Sequence, residues 1–351
     1  MSGTPVLFLD GGLGTSLEDK YGVKFSHDTP LWSSHLLVSG ERDVLFACQR
    51  DFGHVPVDIL LTATYQVSVE AFARTKTPQH PQGIGRADMP TYLEEAVAIA
   101  EQAKQPSASI ALSLGPYGAS MIPSQEYSGQ YDAAHDSEES LYQWHLDRLQ
   151  VFTQVHQLAN RTAYVAFETV PRLDEIRAIR RLFRPSGEAA TRVVENLPPR
   201  YWISCVYPET AALPDGSTID AVIRALFDPT QGGAVPWAVG INCTKLDKLD
   251  AIIRLYEAAI TQLVEEEVLP GWPALALYPD GTNGEVYNTE TKVWEVQSSQ
   301  GSPSLPWATR FASLVEEVRA RRQWTNLVVG GCCKASSDDI AELRKHLEDD
   351  A

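Results

Sequence analysis

The sequence predicts a (β/α)8 barrel, a TIM barrel formed by one domain over residues 1–351 with elaborated loops. Three observations predict it. Short apolar runs alternate with amphipathic stretches from one end of the chain to the other. Most of those runs are unbroken, the pattern of parallel strands covered on both faces. Eight such runs can be counted, each followed by a helical stretch, and the length suits a barrel with some long loops. A doubly wound open sheet is the alternative, although it does not readily take eight units. There is no internal repeat, and no linker divides the chain.

The elements follow in order. The expected strands are 6–12, 57–65, 109–115, 163–170, 201–207, 238–243, 274–278 and 326–332, several of them β-branched or aromatic and ending in Gly, Pro, Asp or Thr. Helices are expected at 41–52, 91–102 and 140–158, where apolar residues recur at helical spacing. Another, 173–183, follows Pro171, and 217–227 opens on Ser217 as its N-cap. The set closes with 246–265, 307–322 and 337–347, the last preceded by Ser336 with Asp338 and Asp339 in its first turn. Long loops are expected at 75–90, 121–138, 184–199, 265–273 and 281–306.

Bulk composition excludes several classes of partner. With 29 basic and 46 acidic residues the formal charge is −17, which disfavours nucleic acid and anionic membrane surfaces. The acidic residues are spread along the chain, as expected for solubility. No apolar stretch approaches the length of a bilayer span, and the segment Met1-Ser2-Gly3-Thr4-Pro5 lacks the basic start of a secretory signal. Five cysteines are an odd number and do not resemble a disulfide framework. These features together lead to a cytoplasmic expectation, with thiols kept free or bound to metal.

In such barrels chemistry gathers where the strands end. Strand one ends Leu9-Asp10-Gly11-Gly12, offering a carboxylate and a glycine turn that lets a ligand approach the backbone. By itself such a turn is more often only a tight turn, and its spacing is not that of a dinucleotide fingerprint. Strand two ends Thr64-Tyr65-Gln66, where Tyr65 either lines a pocket or packs with a wet tip. Strand four ends Phe167-Glu168-Thr169. Closing an apolar run with a carboxylate is expensive without a partner, and the natural partners are a substrate ammonium or a structural salt bridge.

The thiols divide into two groups. Cys48 and Cys205 sit among apolar residues inside expected elements and read as core. Cys243 closes strand six, and Cys332-Cys333 follow Gly330-Gly331 where strand eight stops. Adjacent side chains on a strand point to opposite faces, so Cys332 and Cys333 can share a ligand only where the strand is ending. Three thiolates meeting there form a soft-metal cage one ligand short, as in a catalytic zinc site. Buried or redox thiols are the competing account. None of the eight histidines lies in these motifs, and there is no Gly-Lys-Ser/Thr phosphate loop and no Cys-x-x-Cys pair.

The same segments carry a resemblance. Asp10-Gly11-Gly12 with Thr15, Pro30-Leu31-Trp32-Ser33, Thr64-Tyr65-Gln66, Gly115-Pro116-Tyr117-Gly118-Ala119, Phe167-Glu168-Thr169-Val170-Pro171, Gly240-Ile241-Asn242-Cys243-Thr244 and Gly330-Gly331-Cys332-Cys333 resemble the motifs of the homocysteine S-methyltransferase family, nearly end to end. The resemblance implies a (β/α)8 barrel with Zn2+ held by Cys243, Cys332 and Cys333, and homocysteine adding its thiolate as fourth ligand. It implies that Glu168 meets the substrate amino group, that Asp10 and Gly11 make further substrate contacts, and that Tyr65 lies near donor and metal. The implied partners are homocysteine and a sulfonium donor, S-methylmethionine ahead of S-adenosylmethionine. Selenocysteine-using or betaine-using members of the family, and a non-catalytic zinc or thiol-redox barrel, are the alternatives. A Cys332–Cys333 disulfide would favour the redox reading. Oligomeric state stays open. The chain departs from the family in one loop, Glu126-Tyr127-Ser128-Gly129-Gln130-Tyr131, where an acid often precedes the second tyrosine and Gln130 stands here. The insert 184–199 and the acidic stretch 265–267 are expected to be surface elaboration.

Overall fold

The structure, a computed structural model, describes residues 3–26, 28–184, 187–282, 285–288, 293–296 and 305–349. Its strands are β1 (Val6–Phe8), β2 (Ile59–Leu61), β3 (Ser109–Leu114), β4 (Tyr164–Val170), β5 (Arg200–Cys205), β6 (Ala238–Asn242), β7 (Ala274–Tyr278), β8 (Glu285–Asn288), β9 (Val293–Val296) and β10 (Leu327–Val329). Eight of them form one parallel sheet in the order β1-β10-β7-β6-β5-β4-β3-β2. A parallel bridge between Leu9 and Ile59 brings its two edges together, so the sheet closes into the expected (β/α)8 barrel. The pair β8–β9 is a separate antiparallel hairpin.

Alternation along the strands builds two cores. Side chains pointing inward, such as Leu9, Ala111, Ala166, Trp202, Ala276 and Val328, fill the lumen. Those pointing outward, such as Leu112, Phe167, Ile203, Ile241 and Leu277, pack under the helices. The lumen is therefore a packed plug, and what it presents at its upper end is decided by strand parity.

The β1–β2 seam has little ladder, and two aspartates complete it. Asp58 Oδ2 accepts from the Phe8 N–H at 2.8 Å, and Asp10 Oδ2 accepts from the Leu61 N–H at 2.9 Å. Each satisfies a backbone donor that a longer ladder would have used.

The element boundaries differ from expectation in instructive ways. β1 and β10 stop several residues early, because Gly11, Gly12, Gly330 and Gly331 leave the ladder to build the turns above it. A helix, Leu13–Tyr21, fills part of what reads as loop after strand one. The helix expected from Ser217 starts at Ile219 and is capped by Thr218, whose hydroxyl accepts from the Ala221 N–H at 3.3 Å. The helix expected at 140–158 is Glu138–Phe152, capped by Ser137, with a separate turn at Leu158–Arg161. The insert 184–199 folds into a helix, Glu188–Glu195, that buries Ala190 and Val193; residues 185 and 186 lie outside the described residues. The expected loop 281–306 contains the β8–β9 hairpin, and its positions 283–284, 289–292 and 297–304 also lie outside them. So do Met1 and Ser2 of the N-terminal segment. Among the described residues no helix is long and apolar enough to cross a membrane.

Candidate metal centre and active site

The upper end of the barrel holds a cavity of about 1190 Å3, counting its open mouth, with strand ends for a floor and loops for walls. Every residue singled out from the sequence, Asp10, Gly11, Tyr65, Glu168, Cys243, Cys332 and Cys333, lines it.

The three cysteine sulfurs lie within 4.8 Å of one another, and no fourth metal-ligating side chain joins the group among the described residues. Cys243 and Cys332 are joined as a disulfide across 89 positions, with their Cα atoms 5.4 Å apart, while Cys333 is free. The bond is thus not the Cys332–Cys333 pair that would have favoured the redox reading. β10 has ended three residues before Cys332, so the adjacent cysteines have left strand parity and both face the cavity.

Local backbone geometry aims these sulfurs. Thr169 and Cys243 both have positive φ, 59° and 47°, at the ends of β4 and β6. Such angles are costly for residues with a Cβ, above all for a β-branched one. They are held by a reciprocal pair: the Thr169 N–H donates to Asn242 Oδ1 at 2.8 Å, and Asn242 Nδ2 donates to Thr169 Oγ1 at 2.7 Å. The same hydroxyl lies 3.9 Å from Cys243 Sγ. The β4–β5 register also shifts between Phe167 and Val170, a bulge at the point where Glu168 and Thr169 enter the cavity. Replacing Asn242 with alanine is therefore expected to weaken metal retention about 10- to 100-fold, measured by competition with a chelator, while the fold persists.

On the other side of the cluster, close packing requires glycine. A Cβ at Gly11 would lie 2.3 Å from the Ala335 carbonyl oxygen, and one at Gly12 would lie 2.4 Å from that of Cys332. The Asp-Gly-Gly turn thus nests against the turn that carries Cys332 and Cys333. The Lys334 N–H, which donates to Thr15 Oγ1 at 2.8 Å, ties the two together.

The carboxylates are the second half of the site. Glu168 continues the inward parity of Tyr164 and Ala166 and is 5% exposed. Burial pushes its carboxyl up to about 7, against hydrogen bonds from Ser113 and Tyr278 that pull it down; Ser113 Oγ lies 2.5 Å from Glu168 Oε1. Asp10 is also pushed well up, first by burial and then by the charge of Glu168, and its Oδ1 has no hydrogen-bond partner. Two desolvated carboxylates near each other, one with an unused oxygen, favour a bound cation. The thiols follow the same logic. Burial and the nearby charge of Asp280 push Cys333 up to about 12, so at neutral pH the thiol keeps its proton unless a cation binds the sulfur. Three soft sulfurs with an open fourth position suit zinc better than magnesium or calcium.

Sequence reasoning missed several residues here. Ser113 is a hydroxyl near the end of an otherwise apolar run, and its parity with Ala111 was the available signal. Met121, Glu126 and Tyr127 line the cavity from a loop and Trp294 lines it from the β9 strand, positions that no long apolar period marks. Tyr65 lines the cavity, and burial pushes its hydroxyl well above its ordinary value. Gln130, at the departure from the family loop, is exposed and does not line the cavity, so that change leaves the cavity surface intact. None of the described residues of the insert 184–199 lines the cavity either.

The sequence profile of the family described as homocysteine S-methyltransferase matches residues 7–347. A homocysteine S-methyltransferase of Bacillus subtilis is 27% identical over 355 residues, covering 97% of this chain and 93% of that protein. A betaine-homocysteine S-methyltransferase of Drosophila melanogaster is 25% identical, covering 98% and 95%. The metallated form of a homocysteine methyltransferase from Escherichia coli has the same fold, with a TM-score of 0.66 at 22% identity over 97% of this chain and 96% of that one.

Proposed function

The chain belongs to the homocysteine S-methyltransferase family, and from that premise we propose a zinc-dependent transfer of methyl from a sulfonium donor to homocysteine, giving methionine. S-methylmethionine is the donor proposed first and S-adenosylmethionine second. The observation that carries the reading is the three-sulfur cluster with no fourth protein ligand among the described residues, in a cavity that carboxylates also line.

Cys243, Cys332 and Cys333 in reduced form would hold the metal, leaving the fourth position for the sulfur of homocysteine. Zinc bound there supplies the charge that removes the thiol proton, which at a free pKa of about 8.5 stays mostly bound at neutral pH. Glu168, ionised, receives the substrate ammonium, and the unused oxygen of Asp10 faces the same cavity. Together they fix the sulfur relative to the donor, and such orientation supplies a large part of a methyl transfer's acceleration. The homocysteine sulfur attacks the methyl carbon in line; the donor's C–S bond breaks, and its electron pair leaves with a neutral thioether. Charge is lost as the bond forms, so a cavity that excludes water favours the step.

Electrostatics favour a cationic donor. Among the described residues lining the cavity, Asp10, Glu126 and Glu168 are acidic and none is Lys, Arg or His. S-methylmethionine and S-adenosylmethionine carry a sulfonium charge beyond their amino acid ends, whereas betaine is neutral overall. The test uses reduced, zinc-loaded protein with homocysteine and each donor in turn. S-methylmethionine is expected to give the highest kcat/KM and betaine the lowest. Methionine formed from betaine alone would overturn the donor assignment, and none from any donor would overturn the reaction.

A further inference from the structure

We propose that Glu175 is a positioning residue for this reaction: from a helix outside the cavity it clamps both ends of the loop 115–131, and so sets where the methyl donor sits. The proposal rests on the methyl-transfer reading above.

Glu175 belongs to the helix Leu173–Leu182 and is fully buried. It accepts three hydrogen bonds. The Tyr117 N–H reaches Oε1 at 2.7 Å, the Tyr131 hydroxyl reaches Oε2 at 2.5 Å, and His145 Nε2 lies 2.9 Å from Oε1. His145 Nδ1 lies 3.1 Å from Arg148 Nη2, which can only donate, so the ring proton sits on Nε2 and points at Glu175. The other arm of Arg148 donates to the Gly115 carbonyl at 2.9 Å, and its guanidinium lies 4.4 Å over the Trp144 ring. The buried Glu175–His145–Arg148 chain therefore grips the loop at Gly115 and Tyr117 near one end and at Tyr131 near the other. Everything the loop offers the cavity, including Met121, Ile122, Glu126 and Tyr127, lies between those grips.

A further link runs to the substrate side. Arg172, shortly after Thr169, donates to the Gly129 carbonyl at 3.1 Å and lies 4.9 Å over the Tyr131 ring. The loop wall is thus registered against the strand end that carries Glu168. A core-filling role alone would not call for three buried polar side chains, because apolar residues of similar volume fill such space at no desolvation cost. Two of the three hydrogen bonds to Glu175 come from the loop, and Arg148 adds a third grip on it. The direction of these bonds is what assigns the cluster to positioning.

The test uses zinc-loaded wild type, Glu175→Gln and Tyr131→Phe. It measures KM for each substrate, kcat, bound zinc, and amide hydrogen exchange across 115–131. Glu175→Gln leaves Arg148 without its counter-charge. It is expected to raise the donor KM about tenfold while the homocysteine KM stays within about twofold. Zinc should be retained and exchange should quicken within 115–131. Tyr131→Phe should move the same quantities in the same direction by about threefold, which keeps the test decisive if Glu175→Gln folds poorly. Equal rises in both KM values, or unchanged exchange in the loop, would overturn the proposal. Absence of methyl transfer in the wild type would instead sink the functional reading and the donor role with it, while the exchange measurement still decides whether the clamp exists.

Discussion

Cys333→Ser is expected to abolish metal binding at neutral pH and to lower kcat/KM with homocysteine about a thousandfold or more, the scale of several kcal/mol of lost thiol activation. Serine is nearly the same size, so folding should survive. What changes is the donor: a hydroxyl stays protonated where a thiol, pushed to about 12 by burial, still yields its proton to a bound cation. The measurement is zinc per chain on reduced protein, followed by methionine formation. Cys48→Ala is the control, since that thiol is buried outside the cavity, and it should cost stability while leaving zinc in place. Full zinc occupancy together with normal activity in Cys333→Ser would end the proposed mechanism.

Glu168→Gln should raise the homocysteine KM about a hundredfold, because it removes a buried charge that an ammonium must meet. The pH dependence gives a second readout. With its carboxyl near 7, Glu168 is protonated below that pH and cannot offer the ammonium a charge, so wild-type kcat/KM for homocysteine should fall as pH drops through about 7. The variant should be flat there. Stability runs the other way. The folded value lies above the unfolded value of about 4.5, so the native state holds the proton more tightly. The Glu168 contribution is fully present below about 4.5 and is lost as pH rises through about 7, by on the order of 3 kcal/mol. Thermal melts of the free protein should therefore lose a destabilising slope between those pH values when Glu168 becomes Gln. An unchanged homocysteine KM would show that the ammonium binds elsewhere.

Much of this was legible from residues alone. The eight strand positions follow from unbroken apolar runs, and a carboxylate closing such a run marks the candidate site because it is expensive to bury without a partner. Boundaries were less legible. β10 was read to Cys332 but ends at Val329, since the glycines that precede the cysteines permit the departure without announcing where it begins. Asp10 illustrates another gap. Its sequence context points to a substrate contact, yet one of its oxygens completes the β1–β2 seam. Only the fold shows that a single carboxylate serves the ladder with one oxygen and leaves the other for the cavity.

The barrel, the succession of its eight strands and the candidate residues at their ends are legible from the sequence by itself, as is an acidic balance that disfavours nucleic acid, because periodicity, residue polarity and charge are local properties of the chain. Tertiary structure alone decided that Cys243 pairs with Cys332 in a disulfide while Cys333 stays free, that Asn242 braces Thr169, and that Ser113 supports Glu168. It also decided that Glu175 reaches under the loop 115–131. Those contacts join residues tens of positions apart, and they depend on register, bulges and positive-φ turns that leave no periodic trace in the order of the residues.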